Sequence, residues 1–222
     1  MITLHYLENS RAQRILWLLE ELNVEYEIKH YYRNKETMLA PPELKKVHPL
    51  GKSPVLTDGE NCIVESAAIV EYLIDTHGNG KIIPKAGTKE YLKYREFMHY
   101  AEGSIMPFMV LSLIFNKIKE APMPFFIRPI AKGIANKTMQ SFVSPNVKTH
   151  LTYLNNELAA TGWFAGTEMT GADIMMSFPL EAAASRTSLR EDYQNLASFL
   201  DKIHQLPSYK SALDKGLPYA YG

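Results

Sequence analysis

The sequence predicts an α/β N-terminal domain followed by an all-helical C-terminal domain. Strand and helix patterns alternate over roughly the first eighty residues. Glycine and proline then cluster, which marks a linker. After the linker, helical periodicity continues to residue 217 without strand alternation. We therefore place one domain at residues 1–78, the linker at 79–88 and the helical domain at 89–222.

The N-terminal domain begins with a strand, a helix and a second strand. Residues 2–6 carry apolar side chains at every second position, and residues 12–22 carry them at helical spacing. Residues 26–30 alternate again, and a right-handed crossover would lay this strand parallel to the first. A short helix is expected near residues 42–47.

A hairpin and a helix complete this domain. Residues 55–57 and 62–64 predict two strands, because Asp58-Gly59 between them is a hairpin turn signal. Cys62 lies in the apolar return strand without an adjacent basic residue, so we expect it to be buried and unreactive. Ser66 is predicted to cap the helix that follows.

The C-terminal domain is predicted to consist of long helices. The first spans residues 88–119 and ends at a proline-rich break. A second long segment runs to about residue 160, with an interruption near Ser144-Pro145. Thr170-Gly171-Ala172-Asp173 has the form of a capping box and opens another helix. Two more are expected near residues 192–206 and 208–215.

Composition narrows the function classes. The 222 residues contain 24 basic and 24 acidic side chains, so overall charge favours neither nucleic acid nor a membrane as partner. No stretch approaches the roughly 18 apolar residues of a membrane helix, and no leader pattern is visible. A single cysteine excludes an internal disulfide and a cysteine-rich metal site. We expect a cytoplasmic protein without a metal.

The segment from His48 to Ile74 carries the clearest binding chemistry. The proline of Ser53-Pro54, if cis, turns the Ser53 backbone outward at a strand start, where it can pair with an extended ligand. The free N–H groups at the start of the helix after Glu65-Ser66 favour a carboxylate, and Glu65 can pair with an ammonium group. An amino-acid head group carries both charges, so this segment predicts a binder of a small peptide.

Ser10 is the best-placed hydroxyl, at the junction of the first strand and first helix. Ser10-Arg11-Ala12-Gln13 has the form of a capping box, which is the structural explanation for this serine. A capping hydroxyl uses its oxygen as acceptor, so its proton stays free to donate to a bound thiolate. Both roles are compatible.

Several motifs, in this order and over the whole chain, resemble the cytosolic glutathione transferase family, with the greatest likeness to bacterial and fungal serine-type members. In the N-terminal domain these are Glu8-Asn9-Ser10-Arg11-Ala12, Pro41-Pro42-Glu43-Leu44-Lys45-Lys46, His48-Pro49-Leu50-Gly51-Lys52-Ser53-Pro54 and Glu65-Ser66. In the helical domain they are Tyr100-Ala101-Glu102-Gly103-Ser104 and Thr170-Gly171-Ala172-Asp173.

The resemblance implies a thioredoxin-like domain that binds glutathione as co-substrate and a helical domain that forms the electrophile pocket. Ser10 would then hold the glutathione thiolate. Ser53 would pair its backbone with the cysteinyl part beside a cis Pro54. Glu65 and Ser66 would bind the γ-glutamyl end, and Lys52 would approach the glycyl carboxylate.

Other branches of the family place the thiol partner elsewhere, so Tyr6 is the rival to Ser10. A tyrosine in a period-two strand is more commonly a core residue. Arg11 lies at the positive end of a helix, where it either serves a bound anion or is solvated. Tyr100 and Phe108 on the first long helix are the candidates for electrophile contacts, with ordinary core packing as the alternative.

The implied function is a glutathione S-transferase that conjugates the thiolate to an apolar electrophile or reduces an organic hydroperoxide, and a homodimer is expected. Two alternatives stay open: a noncatalytic ligand carrier or interaction module of the same fold, and a glutathione-dependent isomerase or dehalogenase. The electrophile is not specified by the sequence.

Overall fold

The N-terminal domain is built on a four-stranded mixed sheet. The computed structural model describes residues 1–221. The strands lie in the order β2-β1-β3-β4. Their bounds are Ile2–Leu7 (β1), Tyr26–Tyr31 (β2), Val55–Asp58 (β3) and Asn61–Val64 (β4). β1 pairs with β2 in parallel, whereas β3 runs antiparallel to both β1 and β4. The predicted parallel crossover and the hairpin are both confirmed.

Three helices accompany this sheet: α1 (Ala12–Leu22), α2 (Leu44–Val47) and α3 (Ser66–His77). Long apolar side chains on α1 and α3 pack with the β1 side chains Leu4 and Tyr6 in the main core. Leu44 of α2 packs instead with Leu7 and Tyr31 in a smaller cluster. This arrangement confirms the α/β fold predicted for the domain.

Two local expectations in this domain are wrong. Ser66 is the first residue of α3 rather than its cap, because Glu65 occupies the capping position at φ +71° and no side chain caps the helix. Cys62 is exposed rather than buried. It lies on β4, which has a neighbouring strand on one side only.

The second domain is entirely helical within residues 89–221. Its helices are α4 (Lys89–Tyr100), α5 (Met106–Glu120), α6 (Arg128–Thr138), α7 (Ser144–Glu157), α8 (Gly171–Ala184), α9 (Leu189–Asp192), α10 (Gln194–His204) and α11 (Pro207–Lys215). One π-helical turn, Ala101–Ile105, joins α4 to α5, and another, Met139–Val143, joins α6 to α7. The two long helices predicted are therefore present, and each is continuous through a π turn.

The two domains share one hydrophobic core. Trp17 of α1 packs edge-on against Tyr209 of α11 at 5.3 Å between ring centroids, and its indole N–H donates to Ser208 Oγ at 3.1 Å. α8 approaches α3 closely at Gly171, where an added Cβ would lie 2.6 Å from Ile74 Cδ1. The helical domain is thus held rigidly against α1 and α3, the helices that flank the candidate site.

The helix Lys89–Glu120 has the length and hydropathy of a membrane span, with an 18-residue window of mean hydropathy 1.2. The expectation that no segment comes near this composition is therefore too strict. Its buried residues, among them Phe97, Ile105 and Met109, pack in the common core. A long core helix accounts for the apolar composition of that face.

α8 begins with the predicted capping box. The Asp173 carboxylate accepts hydrogen bonds from the Thr170 N–H at 2.8 Å and from the Phe164 N–H at 2.9 Å, and Thr170 Oγ1 accepts from the Ala172 N–H at 3.3 Å. Asp173 is fully buried. Burial raises the pKa of Asp173 to about 6, and the hydrogen bonds oppose that rise.

This raised pKa predicts a specific pH dependence of stability. The folded carboxyl retains a proton that the unfolded one, with its pKa near 3.8, has already lost. Asp173 therefore contributes most to stability below about pH 4, and this contribution falls as the pH rises to about 6. In urea unfolding, the stability of the wild-type protein relative to Asp173→Asn should decline over that interval. A rise instead would mean that the two N–H donors outweigh burial.

Candidate active site

A cleft of about 300 Å³ lies where the N-terminal domain meets the first long helix of the second domain. Six residues singled out from the sequence line it: Arg11, Lys52, Ser53, Pro54, Glu65 and Ser66. His48, Leu50, Val64 and Glu102 complete the lining. The structure therefore brings the predicted binding segment and the start of α1 to a single place.

The Ser53-Pro54 loop forms the floor of the N-terminal side of the cleft. The Ser53–Pro54 peptide bond is cis, as expected. Ser53 Oγ donates to the carbonyl of His5 at 2.9 Å and accepts from the Leu7 N–H at 3.1 Å. These bonds to the central strand hold the loop in place, and they occupy the Ser53 hydroxyl proton.

Ser10 lies next to this loop but is not itself among the residues that line the cleft. It is 6% exposed, and its Oγ is 3.4 Å from Ser53 Oγ. Ser10 Oγ accepts from the Ala12 N–H at 3.2 Å. Because Ser53 donates its proton to His5, the proton between the two hydroxyls belongs to Ser10, and at 3.4 Å it is weakly held. That proton has no firm protein acceptor.

The predicted capping box at Ser10 forms only in part. Ser10 Oγ does accept from the backbone of the first helical turn. The Gln13 side chain does not return to Ser10, because its Oε1 accepts from the Tyr6 hydroxyl at 2.8 Å. A tertiary partner thus replaces the local one.

The structure places Tyr6 in the core, away from the cleft. Its side chain is fully buried, and its hydroxyl is committed to Gln13. Burial, helped by the negative charge of Glu181, raises the pKa of Tyr6 far above its usual range. A phenol in this environment has no free proton directed at a ligand in the cleft.

The start of α3 forms an end of the cleft that is suited to an anion. No side chain caps this helix, so the first N–H groups of α3 lack an intrahelical partner. Glu65 is exposed beside them, and Ser66 is buried at 4% exposure. A ligand carboxylate and a ligand ammonium group can therefore be bound side by side at Glu65 and Ser66.

Basic side chains stand around the rest of the cleft. Lys52 is exposed, and Arg11 is partly exposed. Arg11 is not a free cation, however, because its Nε donates to Glu102 Oε1 at 2.9 Å. The ion pair was not foreseen from the sequence, and whether Arg11 also serves a bound anion stays a prediction. Lys52 is the cation left for a second ligand carboxylate.

Glu102 was not predicted as a site residue. It lies on the π turn of the long helix and pairs with both Arg11 and the fully buried Arg14. Burial opposes its ionisation, but the two guanidinium groups prevail and lower the pKa of Glu102. The sequence did hold a signal for Glu102: it is a single acidic residue on a helix face that otherwise carries Ile105 and Met109.

The two candidates for electrophile contacts lie on the first long helix, outside this cleft, so their role stays a prediction. The Tyr100 hydroxyl bonds to His150 Nδ1 on α7, and Tyr100 packs against Phe97 and Tyr153. Phe108 packs against the His150 ring at 5.2 Å. Neither lines the cleft. The aromatic ring nearest to the Arg11 guanidinium in the described contacts is instead Phe178 of α8, at 5.4 Å.

Within residues 1–221, no group of three or more His, Cys, Asp and Glu side chains is arranged to hold a metal ion. The cleft itself offers hydroxyls, two cations, two carboxylates and a helix N-terminus. That set is suited to bind a charged small peptide.

Comparison with known proteins agrees with this description. Residues 1–75 match the model of the glutathione S-transferase N-terminal domain, and residues 121–216 match a C-terminal domain model of the same family. Glutathione S-transferase 1 of Saccharomyces cerevisiae is 36% identical over 97% of this chain and 95% of its own length. Glutathione S-transferase 3 of Schizosaccharomyces pombe is 37% identical over 97% and 88%. The crystal structure of a glutathione S-transferase from Actinobacillus pleuropneumoniae is 32% identical, with a TM-score of 0.79, over 97% of this chain and 92% of that one.

Proposed function

The chain belongs to the glutathione S-transferase family, and from that premise we propose that it binds glutathione in the cleft and activates the thiol for attack on an apolar electrophile. The observation that carries the proposal is the grouping of Glu65, the uncapped start of α3 and Lys52 around the Ser53-Pro54 loop. This grouping matches the charges of the tripeptide, which has one ammonium group and two carboxylates.

Each end of glutathione has a partner of opposite charge. The γ-glutamyl ammonium group pairs with Glu65, and its carboxylate accepts from the first N–H groups of α3 at Ser66. The glycyl carboxylate lies toward Lys52. The cysteinyl backbone pairs with Ser53 beside cis Pro54, which leaves the thiol next to the Ser53 and Ser10 hydroxyls.

Ser10 is the proposed thiolate partner because it lies beside the Ser53-Pro54 loop and its proton is only weakly held, whereas Ser53 donates its own proton to His5. A hydrogen bond to a charged group contributes about 1.5–3 kcal/mol. The N-terminus of α1 adds about 0.3–1 kcal/mol for a nearby anion. Together they are enough to lower a thiol pKa by about one to three pH units. The thiolate then displaces a leaving group from carbon. With a hydroperoxide it attacks the terminal oxygen instead, which breaks the O–O bond, releases the alcohol after protonation and leaves glutathione sulfenic acid; a second glutathione converts this acid to the disulfide and water.

The decisive experiment is a calorimetric titration with glutathione, combined with the ultraviolet thiolate band of the complex recorded against pH. The proposal expects saturable binding and a thiol pKa at least about one pH unit below that of free glutathione. Binding without that shift would favour the noncatalytic carrier. No binding would remove the cleft as the glutathione site.

We further propose that the protein works in the cytoplasm as a homodimer. The single exposed cysteine is compatible with reducing surroundings. Sedimentation velocity at several protein concentrations tests the assembly, and a concentration-independent monomer would contradict it.

A further inference from the structure

The hairpin of α5 and α6 carries an apolar surface that no other part of the described chain covers. Phe125 and Phe126, in the turn between the helices, are 84% and 64% exposed. Ile127, Ile130 and Ile134 follow at 43%, 64% and 62%. We call these five residues the hairpin patch. Large apolar side chains exposed in one continuous segment mark an interaction surface.

α6 is held only loosely by the protein core. Ala135 is its one buried residue, and the exposed Ile127, Ile130 and Ile134, the first just before the helix, recur at three- and four-residue spacing. Helices that pack on a core bury an apolar stripe of this kind. In α6 the stripe faces outward, so its partner lies outside this chain.

The neighbouring helix, α5, also exposes apolar side chains. α5 exposes Val110, Ile114 and Ile118, four residues apart, at 39%, 46% and 38%. Residues four apart lie on one face of a helix. α5 and α6 are packed against each other, so both outward stripes belong to one hairpin.

Charge around the patch is one-sided. Residues 121–156 contain Arg128, Lys132, Lys137 and Lys148 but no aspartate or glutamate, although the whole chain has equal numbers of both signs. Arg128, Lys132 and Lys137 of α6 are all exposed. The net charge of the whole chain is zero, but the surface around the hairpin patch is positive, with aromatic and aliphatic side chains at its centre.

We propose that the hairpin patch docks on the surface of an anionic lipid membrane. Phe125 and Phe126 would enter the boundary between headgroups and acyl chains, while the basic side chains of α6 contact lipid phosphates. An amphipathic helix with aromatic and aliphatic residues on one face and lysine or arginine on the other binds membranes in this way. With 11 residues, or about 17 Å, α6 lies on the membrane and is too short to cross it.

Charge argues for a membrane over a second copy of the chain. A two-fold contact in which the patch packs on its own copy at the axis would bring Arg128 and Lys132 of one copy close to the same residues of the other. Like charges at close range oppose such a contact. Anionic lipid headgroups supply the opposite charge. The equal numbers of acidic and basic residues argue against a membrane partner only as an average over the whole chain, and α6 departs from that average.

Co-sedimentation of the full-length protein with vesicles tests the proposal. Vesicles of phosphatidylcholine alone are compared with vesicles containing phosphatidylglycerol in addition. We expect binding to the anionic vesicles that is at least about tenfold tighter and that weakens strongly at about 0.5 M salt, because salt screens exposed charges. Equal binding to both vesicle types, or no binding, would overturn the proposal without recourse to any variant.

Paired variants separate the apolar and basic contributions. The double variants Phe125→Ser with Phe126→Ser, and Arg128→Glu with Lys132→Glu, should each weaken binding to anionic vesicles at least about tenfold. Leu92→Ser is the matched control, because Leu92 is 69% exposed on α4, outside the hairpin, and it should bind like the wild type. Thermal unfolding verifies that each variant is folded.

The oligomeric state is measured on the same samples. If the double phenylalanine variant changes from dimer to monomer and the wild type does not bind anionic vesicles, a second copy covers the patch and the proposal is wrong. An unchanged oligomeric state with lost vesicle binding supports it.

Discussion

Ser10→Ala is expected to slow glutathione conjugation about 10- to 100-fold while glutathione affinity stays within several-fold. The substitution removes the hydroxyl proton beside the Ser53-Pro54 loop that no protein acceptor holds firmly. Its loss costs the thiolate a hydrogen bond worth about 1.5–3 kcal/mol, and 1.4 kcal/mol corresponds to a factor of ten. The thiol pKa in the complex should rise by about one to two pH units.

The measurement combines steady-state turnover of an aryl halide with the ultraviolet thiolate band of the complex with glutathione. A structural effect of the lost bond to the Ala12 N–H would change stability and affinity but would not move the thiol pKa by that amount. Equal turnover in Ser10→Ala and the wild type would exclude Ser10 as the thiolate partner.

Two matched variants test which hydroxyl donates its proton to the thiolate. Tyr6→Phe removes a hydroxyl that donates to Gln13 inside the core, so we expect it to leave the thiol pKa unchanged. Ser53→Ala removes the hydroxyl 3.4 Å from Ser10. If Ser53→Ala raises the thiol pKa and Ser10→Ala does not, Ser53 is the residue that meets the thiolate.

The fold followed from the sequence because its signals are local. Alternation in β1 and β2, turn chemistry at Gly59 and the helical period of the second domain need no knowledge of distant residues. Residue 62 shows the limit of that information. A period of two says which residues share a face, but exposure at the edge strand β4 depends on what packs there.

The cleft could be predicted where its residues are close in the sequence. Lys52, Ser53, Glu65 and Ser66 come from one segment whose turn and helix start place them together. The place of Glu102 in the cleft could not be predicted, since it lies 91 residues from Arg11 in the chain. The role of Tyr100 as an electrophile contact stays a prediction, because helical spacing does not say which neighbouring helix an aromatic residue contacts.

Glu102→Ala is expected to destabilise the protein by about 2–4 kcal/mol. Arg14 is 2% exposed, and its guanidinium bonds to Glu102 and to the Met175 carbonyl at 2.8 Å. Removing the carboxylate leaves a buried cation without its counter-charge, which costs about 3–5 kcal/mol in a fully buried pair. The Glu102 side chain is 30% exposed, so water lowers that cost. Urea unfolding at neutral pH measures the change.

Glu96→Ala is the control on the same long helix. The Lys93–Glu96 pair is 40% and 39% exposed, and Glu96 also accepts from the Tyr153 hydroxyl at the surface. An exposed pair contributes at most about 1 kcal/mol, so we expect a smaller loss than for Glu102→Ala. The pH dependence adds a second criterion. Because the arginines hold the pKa of Glu102 below 4.5, its contribution is complete above that pH and is lost as the pH falls through the lowered pKa. The stability difference between wild type and Glu102→Ala should therefore shrink on acidification, and a difference independent of pH would show that the loss is one of packing alone.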